Sequence, residues 1–124
     1  MPLMAKETAM QYRGSCHCGR LAFTAEGEIR QVVECNCSLC SRKGSLLWFV
    51  PRTKFAFVAG ENESSVYKFN KQVIAHHFCP ICGCQPFSFG KDPSGKEIAA
   101  INTRCLENID TSTLPHHHYD GKNV

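Results

Sequence analysis

This sequence predicts an all-β fold: a single domain of short antiparallel strands, arranged as a sandwich, barrel or folded sheet and pinned by zinc. Three observations predict it. Eight short runs of alternating or β-branched and aromatic residues follow one another between turn signals, the spacing of an all-β domain. Only residues 38 to 43 suit a helical turn. Nine cysteines stand mostly in three tight clusters, and a chain of 124 residues is about one domain with a thin hydrophobic core.

The first run, RLAFTAEGE, sets Leu21, Phe23 and Ala25 against polar neighbours, the period of a half-buried strand. RQVVEC leads into a cysteine cluster, and SLLWFVP leads away from it to end at Pro51. KFAFVAGE alternates Phe55 and Phe57 and stops at Gly60. SVYKFN is β-branched and aromatic, and QVIAHHF runs into the last cluster. QPFSFG and KEIAAINT flank a KDPSGK turn. Residues 1–9 are expected to be a flexible N-terminal segment, and 10–124 the domain. The tail, LPHHHYDGKNV, reads as a solvated loop from its Pro and Gly content. A ligand role stays open for one of His116, His117 and His118, because neutral imidazole binds zinc.

At 43% hydrophobic and 20% charged, the composition is that of a globular protein and excludes a disordered one. No apolar run approaches the ~18 residues that cross a bilayer, and MPLMAKETAMQYRG lacks the apolar segment of a signal peptide. The expectation is a soluble, cytoplasmic protein with no membrane partner. The formal charge of +3 counts every cysteine as neutral. Seven thiolates on two zinc ions would bring three negative charges and cancel it. Lys and Arg are scattered singly apart from Arg42 and Lys43, whereas a nucleic-acid footprint is a patch or stripe. No nucleic-acid partner is expected.

An odd number of cysteines without an export signal favours metal over disulfides. In FCPICG, Cys79 and Cys82 have the Cys-x-x-Cys-Gly spacing of a zinc knuckle, with Gly83 free to adopt positive φ. A redox dithiol uses the same spacing, but at a helix N-terminus, and the surroundings here read as strands. In SCHCG, Cys16 and Cys18 are two apart and share one face of an extended segment. These two pairs together make a closed four-sulfur site. Cys35, Cys37 and Cys40 in CNCSLC are then left with three sulfurs and an open fourth position, the form of catalytic zinc. Spacing equally allows Cys16, Cys18, Cys35 and Cys37 to form one site, with Cys40 joining the later cluster. Cys84 and Cys105 read as small buried hydrophobes, Cys84 also as a spare ligand. His76 and His77 point to opposite faces of a strand, so at most one faces the metal region.

GSCHCGRLAF, ECNCSLCSRKG, WFVP, HHFCPICGCQPF, AINTRCLE and HHYDGKN together resemble the glutathione-dependent formaldehyde-activating (GFA) family, whose domain also occurs in centromere protein V. The resemblance covers about residues 10 to 124. It implies a zinc-pinned all-β fold of the β-tent type. It implies a structural zinc on Cys16, Cys18, Cys79 and Cys82 and a second, more labile zinc on Cys35, Cys37 and Cys40. The activity implied is carbon–sulfur lyase chemistry, the condensation of glutathione with formaldehyde to S-(hydroxymethyl)glutathione. Ser41 stands where the family pattern suggests a basic residue, leaving Arg42 and Lys43 as candidates to meet glutathione carboxylates. Of Trp48 and Phe49, strand neighbours facing opposite sides, one is expected in the core and the other at a pocket wall, with Trp48 put forward as the substrate contact. Two other readings are a zinc-dependent module that binds a thiol or a protein without turnover, and a redox or metal-transfer protein.

Overall fold

A computed structural model describes residues 10–68 and 74–123. The flexible segment expected at residues 1–9 lies outside the described residues. Among the described residues ten strands form two sheets. The smaller has the order β1 (Met10–Ser15), β2 (Ala22–Gly27), β5 (Phe55–Ala59). The larger has seven strands in the order β10 (His116–Tyr119), β3 (Val32–Cys35), β4 (Leu47–Pro51), β9 (Glu97–Asn102), β8 (Phe87–Lys91), β7 (Ala75–Phe78), β6 (Ser65–Tyr67). One helix, α1 (Ser38–Lys43), lies between β3 and β4, where the sequence allows a helical turn.

The eight expected runs each contain a strand. Two further strands carry no apolar alternation. β1 pairs with β2 along its whole length, from Met10 opposite Gly27 to Ser15 opposite Ala22. Its inward position is Gly14, because the Phe23 ring fills that space. A Cβ there would lie 2.6 Å from Phe23 and 2.9 Å from the Cys105 carbonyl. β10 corrects the reading of the tail as a loop. All four of its residues are exposed, and it is held by backbone pairing to β3. That pairing is parallel, where every other strand pair is antiparallel.

The core lies between the sheets. Phe23 of β2 stacks on Phe55 of β5 at 5.2 Å, and Phe87 of β8 meets Phe55 edge-on at 4.9 Å, the offset and T-shaped geometries that aromatic quadrupoles prefer. Trp48, Val50, Ala99 and Ile101 complete this core from β4 and β9. Strand parity then decides what faces away from it. Trp48 points inward, and its indole N–H donates to the Glu28 carbonyl at 3.2 Å. Leu47 and Phe49 point to the outer face of the larger sheet, towards the site described next.

Candidate metal centres

Two cysteine groups come together, and they partition as the resemblance implies: Cys16, Cys18, Cys79 and Cys82 in one, Cys35, Cys37 and Cys40 in the other. Within each group all sulfurs lie within 4.8 Å of one another.

The four-sulfur group is built from two turns. Cys16 follows β1 and Cys79 follows β7, so the group ties the smaller sheet to the larger. In the first turn the Gly19 N–H reaches the Cys16 carbonyl at 3.2 Å, and in the second the Gly83 N–H reaches the Cys79 carbonyl at 2.8 Å. Gly19 and Gly83 have φ of +84° and +82°, left-handed values at which a side chain is strained. The turns aim backbone donors at sulfur: Leu21 N–H to Cys16 at 3.3 Å, and Cys82 N–H to Cys79 at 3.4 Å. Cys16 and Cys18 sulfurs are 3.7 Å apart, and Cys18 and Cys79 sulfurs 3.6 Å. A tetrahedron with metal–sulfur bonds of about 2.3 Å has edges of about 3.8 Å, so this donor set fits zinc. A disulfide needs about 2.05 Å, and all nine cysteines are free. Backbone N–H groups of Cys84 and Cys18 pull the Cys82 thiol down to about 5. Cys18 has the Arg20 N–H in its favour, yet burial and the neighbouring sulfurs push it up to about 11. Sulfurs so placed share negative charge poorly without a cation among them.

Cys84 packs against this group without belonging to it, and its carbonyl accepts the Cys79 N–H at 2.9 Å. Cys105 is pushed up to about 12, mainly by burial, which makes it an unreactive thiol.

The three-sulfur group is local. Cys35 ends β3, Cys37 is the N-cap of α1, and Cys40 lies within the helix. The Cys37 sulfur accepts the Cys40 N–H at 3.4 Å, and Cys35 accepts the Cys37 N–H at 3.5 Å. The helix closes at Gly44, whose φ of +68° lets its N–H return to the Cys40 carbonyl at 2.9 Å. Burial works against ionisation at all three cysteines, but at Cys37 the hydrogen bonds from Cys40 outweigh it and favour the thiolate. Cys35 and Cys40 are pushed upward, by burial first. The donor set again suits zinc, with three ligands in place of four.

The C-terminal strand covers this group. Asn36 donates through its amide to Asp120 at 2.9 Å, its backbone N–H reaches the Tyr119 carbonyl at 3.1 Å, and its side-chain oxygen accepts the Lys122 N–H at 2.9 Å. Gly121 packs so closely that a Cβ there would be 2.5 Å from the Cys35 sulfur.

Beside the three sulfurs lies a cavity of about 360 Å³ on the outer face of the larger sheet. Its walls are Val33, Leu47, Phe49, Phe89, Ile98 and Ala100, and its polar groups are His76, Ser88, Lys91 and His117. His76 is the histidine of its pair that faces the site; burial, then Lys43, lowers its pKa and keeps it neutral. His77 turns the other way, bonds Ser64 through Nδ1 at 2.7 Å and packs on the Phe87 and Phe89 rings. In β10, His117 and Tyr119 line the cavity, while His116 Nδ1 bonds the Glu34 carboxylate.

Trp48, put forward as a substrate contact, is a core residue; Phe49 takes the place at the wall. Arg42 bonds the Ser38 carbonyl at 2.7 Å and Lys43 lies 5.9 Å from the Phe78 ring, so neither lines the apolar cavity. A smaller, more polar hollow of about 260 Å³ reaches Cys35 and Cys40 from the other side, with Arg104, Ser41 and Ser45 in its walls. Sequence reasoning missed Arg104 and Tyr119, and put Trp48 where Phe49 stands at the cavity wall. For Tyr119, the i, i+2 relation to His117 is a signal, once HHHY is taken as a strand.

Fold and site define a class: a two-sheet β protein with one four-cysteine and one three-cysteine group, each of which could hold a metal ion. The chain belongs to the glutathione-dependent formaldehyde-activating enzyme family, whose match spans residues 11–120. It is also similar to a solved Rhodobacter sphaeroides protein, at 25% identity and a TM-score of 0.73 over 84% of this chain and 98% of that one. Among the described residues no helix is long and apolar enough to cross a membrane.

Proposed function

We propose that this protein is a carbon–sulfur lyase that joins glutathione and formaldehyde, or separates them, at the Cys35–Cys37–Cys40 centre. The observation that supports this is the open three-sulfur donor set beside a cavity. Zinc bound there would convert an incoming thiol into a thiolate at neutral pH. The rest falls to the chain. The N-cap of α1 and the close approach of Gly121 hold the three sulfurs in place. Apolar walls line one side of the adduct's seat. His117, at the cavity wall, is the candidate to take the thiol proton and return it to the oxygen of the hydroxymethyl group. Arg104 on the polar side, with Arg42 and Lys43 on the adjoining helix, is available to glutathione carboxylates.

Metal content and glutathione binding by calorimetry, on the wild type and on Cys37→Ser, test this reading. Two zincs per chain are expected, with one zinc lost and glutathione affinity abolished in the variant. Unchanged binding in Cys37→Ser would remove the site from the reaction. NMR exchange between free and glutathione-bound formaldehyde then separates a lyase from a binding module: a lyase speeds exchange beyond the spontaneous rate, and a carrier does not.

A further inference from the structure

Formaldehyde has two non-hydrogen atoms, and the cavity beside Cys35, Cys37 and Cys40 is far larger. A water molecule's share of liquid volume is about 30 Å³. On that scale a cavity of about 360 Å³ has room for about a dozen heavy atoms. Three adjacent strands give it an apolar wall. β3 supplies Val33, β4 Leu47 and Phe49, and β9 Ile98 and Ala100, all from the outer face of one sheet. At the mouth, Phe49, Ile74 and Tyr119 are 47%, 44% and 46% exposed, a cluster of large apolar side chains. Glutathione's carboxylates and ammonium group find little on these walls; among the described lining residues Lys91 is the one permanently charged side chain. The polar hollow near Arg104 suits those groups better.

We propose that the adduct handled here carries a hydrocarbon group of about four to eight carbons on its carbonyl-derived carbon, seated in this cavity. The substrate class then extends from formaldehyde to apolar aldehydes. The proposal rests on the reading above only in placing the reacting sulfur at the three-cysteine centre. The chemistry balances without an oxidant or reductant. As the thiol adds, a carbon–sulfur bond forms, the C=O π pair passes to oxygen, and the thiol proton ends on that oxygen. In reverse the carbon–sulfur bond breaks, and aldehyde and thiol are released.

Calorimetric binding of S-methylglutathione and S-hexylglutathione to the zinc-loaded protein tests this, because both are unreactive and differ only in hydrocarbon. The hexyl compound should bind at least about tenfold more tightly, since burying several methylenes outweighs their ordering. Ala100→Leu, which fills the cavity, should bring the ratio of the two affinities towards one. Phe49→Ala, at an exposed position less critical to folding, should also reduce it. Equal affinities in the wild type overturn the proposal, while measurable binding of both leaves the glutathione reading intact. If neither derivative binds but hexanethiol does, the hydrocarbon seat stands and the glutathione reading falls. If none of the three binds, both fall.

Discussion

The two cysteine groups use the same chemistry in opposite ways. Cys18 and Cys79 are 61 positions apart in the chain, and their group exists only when β1 and β7 have found each other. Cys35, Cys37 and Cys40 lie within six residues, and their group is made by one strand end and one turn of helix. In the first, Cys16 and Cys79 are buried with Leu21 packed among them, while Cys18 is exposed. The second opens on a cavity. On the reading proposed here, distance in sequence separates a fastening from a reactive centre: the long-range group would hold the sheets together, and the local one would exchange a ligand without moving them.

The most severe way to break this comparison is Cys79→Ser. Structural zinc sites contribute about 10–16 kcal/mol, more than most domains have to spare. The expected outcome is unfolded or insoluble protein by circular dichroism, while Cys37→Ser stays folded. Similar melting of the two variants would erase the distinction. Chelation is the next test. A titrated chelator should remove one zinc equivalent with the far-ultraviolet spectrum intact and the second only with unfolding; a single cooperative loss of both would contradict the division. A smaller effect is expected for Gly121→Ala, whose new methyl meets the Cys35 sulfur. Zinc affinity at the three-cysteine centre should fall about tenfold, as for other groups that support a metal ligand, with little change in melting. The smallest belongs to Asn36→Ala, which loses two exposed side-chain hydrogen bonds to the C-terminal segment. Amide exchange in β10 should speed up several-fold while exchange in β8 and β9 stays as it was.

Most of the interior was legible in the sequence because burial leaves a pattern. Phe23 and Ala25 alternate in β2 and become core, and the turn after Cys82 needs the glycine that stands there. β10 was hidden because an edge strand with four exposed residues has no inward face to mark, and backbone pairing carries no residue code. β1 was hidden for a related reason, since the side chain at its buried position belongs to Phe23 across the pair. The choice between Trp48 and Phe49 turned on which face of β4 meets the smaller sheet, and alternation alone does not say which side is inside. For the cysteines, spacing gave the local pairs, but only the topology of β1 and β7 excluded the rival grouping.

The compactness of CNCSLC also matters when the chain is unfolded. Its three sulfurs remain neighbours in any conformation, so the denatured chain keeps part of its affinity for zinc at that centre. A ligand stabilises the native state only by the excess of its affinity for that state over the unfolded one. Zinc bound at Cys35, Cys37 and Cys40 would therefore contribute less to the melting temperature than its tightness suggests. Zinc bound at the clasp, whose halves separate on unfolding and keep only two sulfurs each, would contribute a larger share. Raising free zinc should shift the melting temperature mainly through the four-cysteine site, however tightly the other binds.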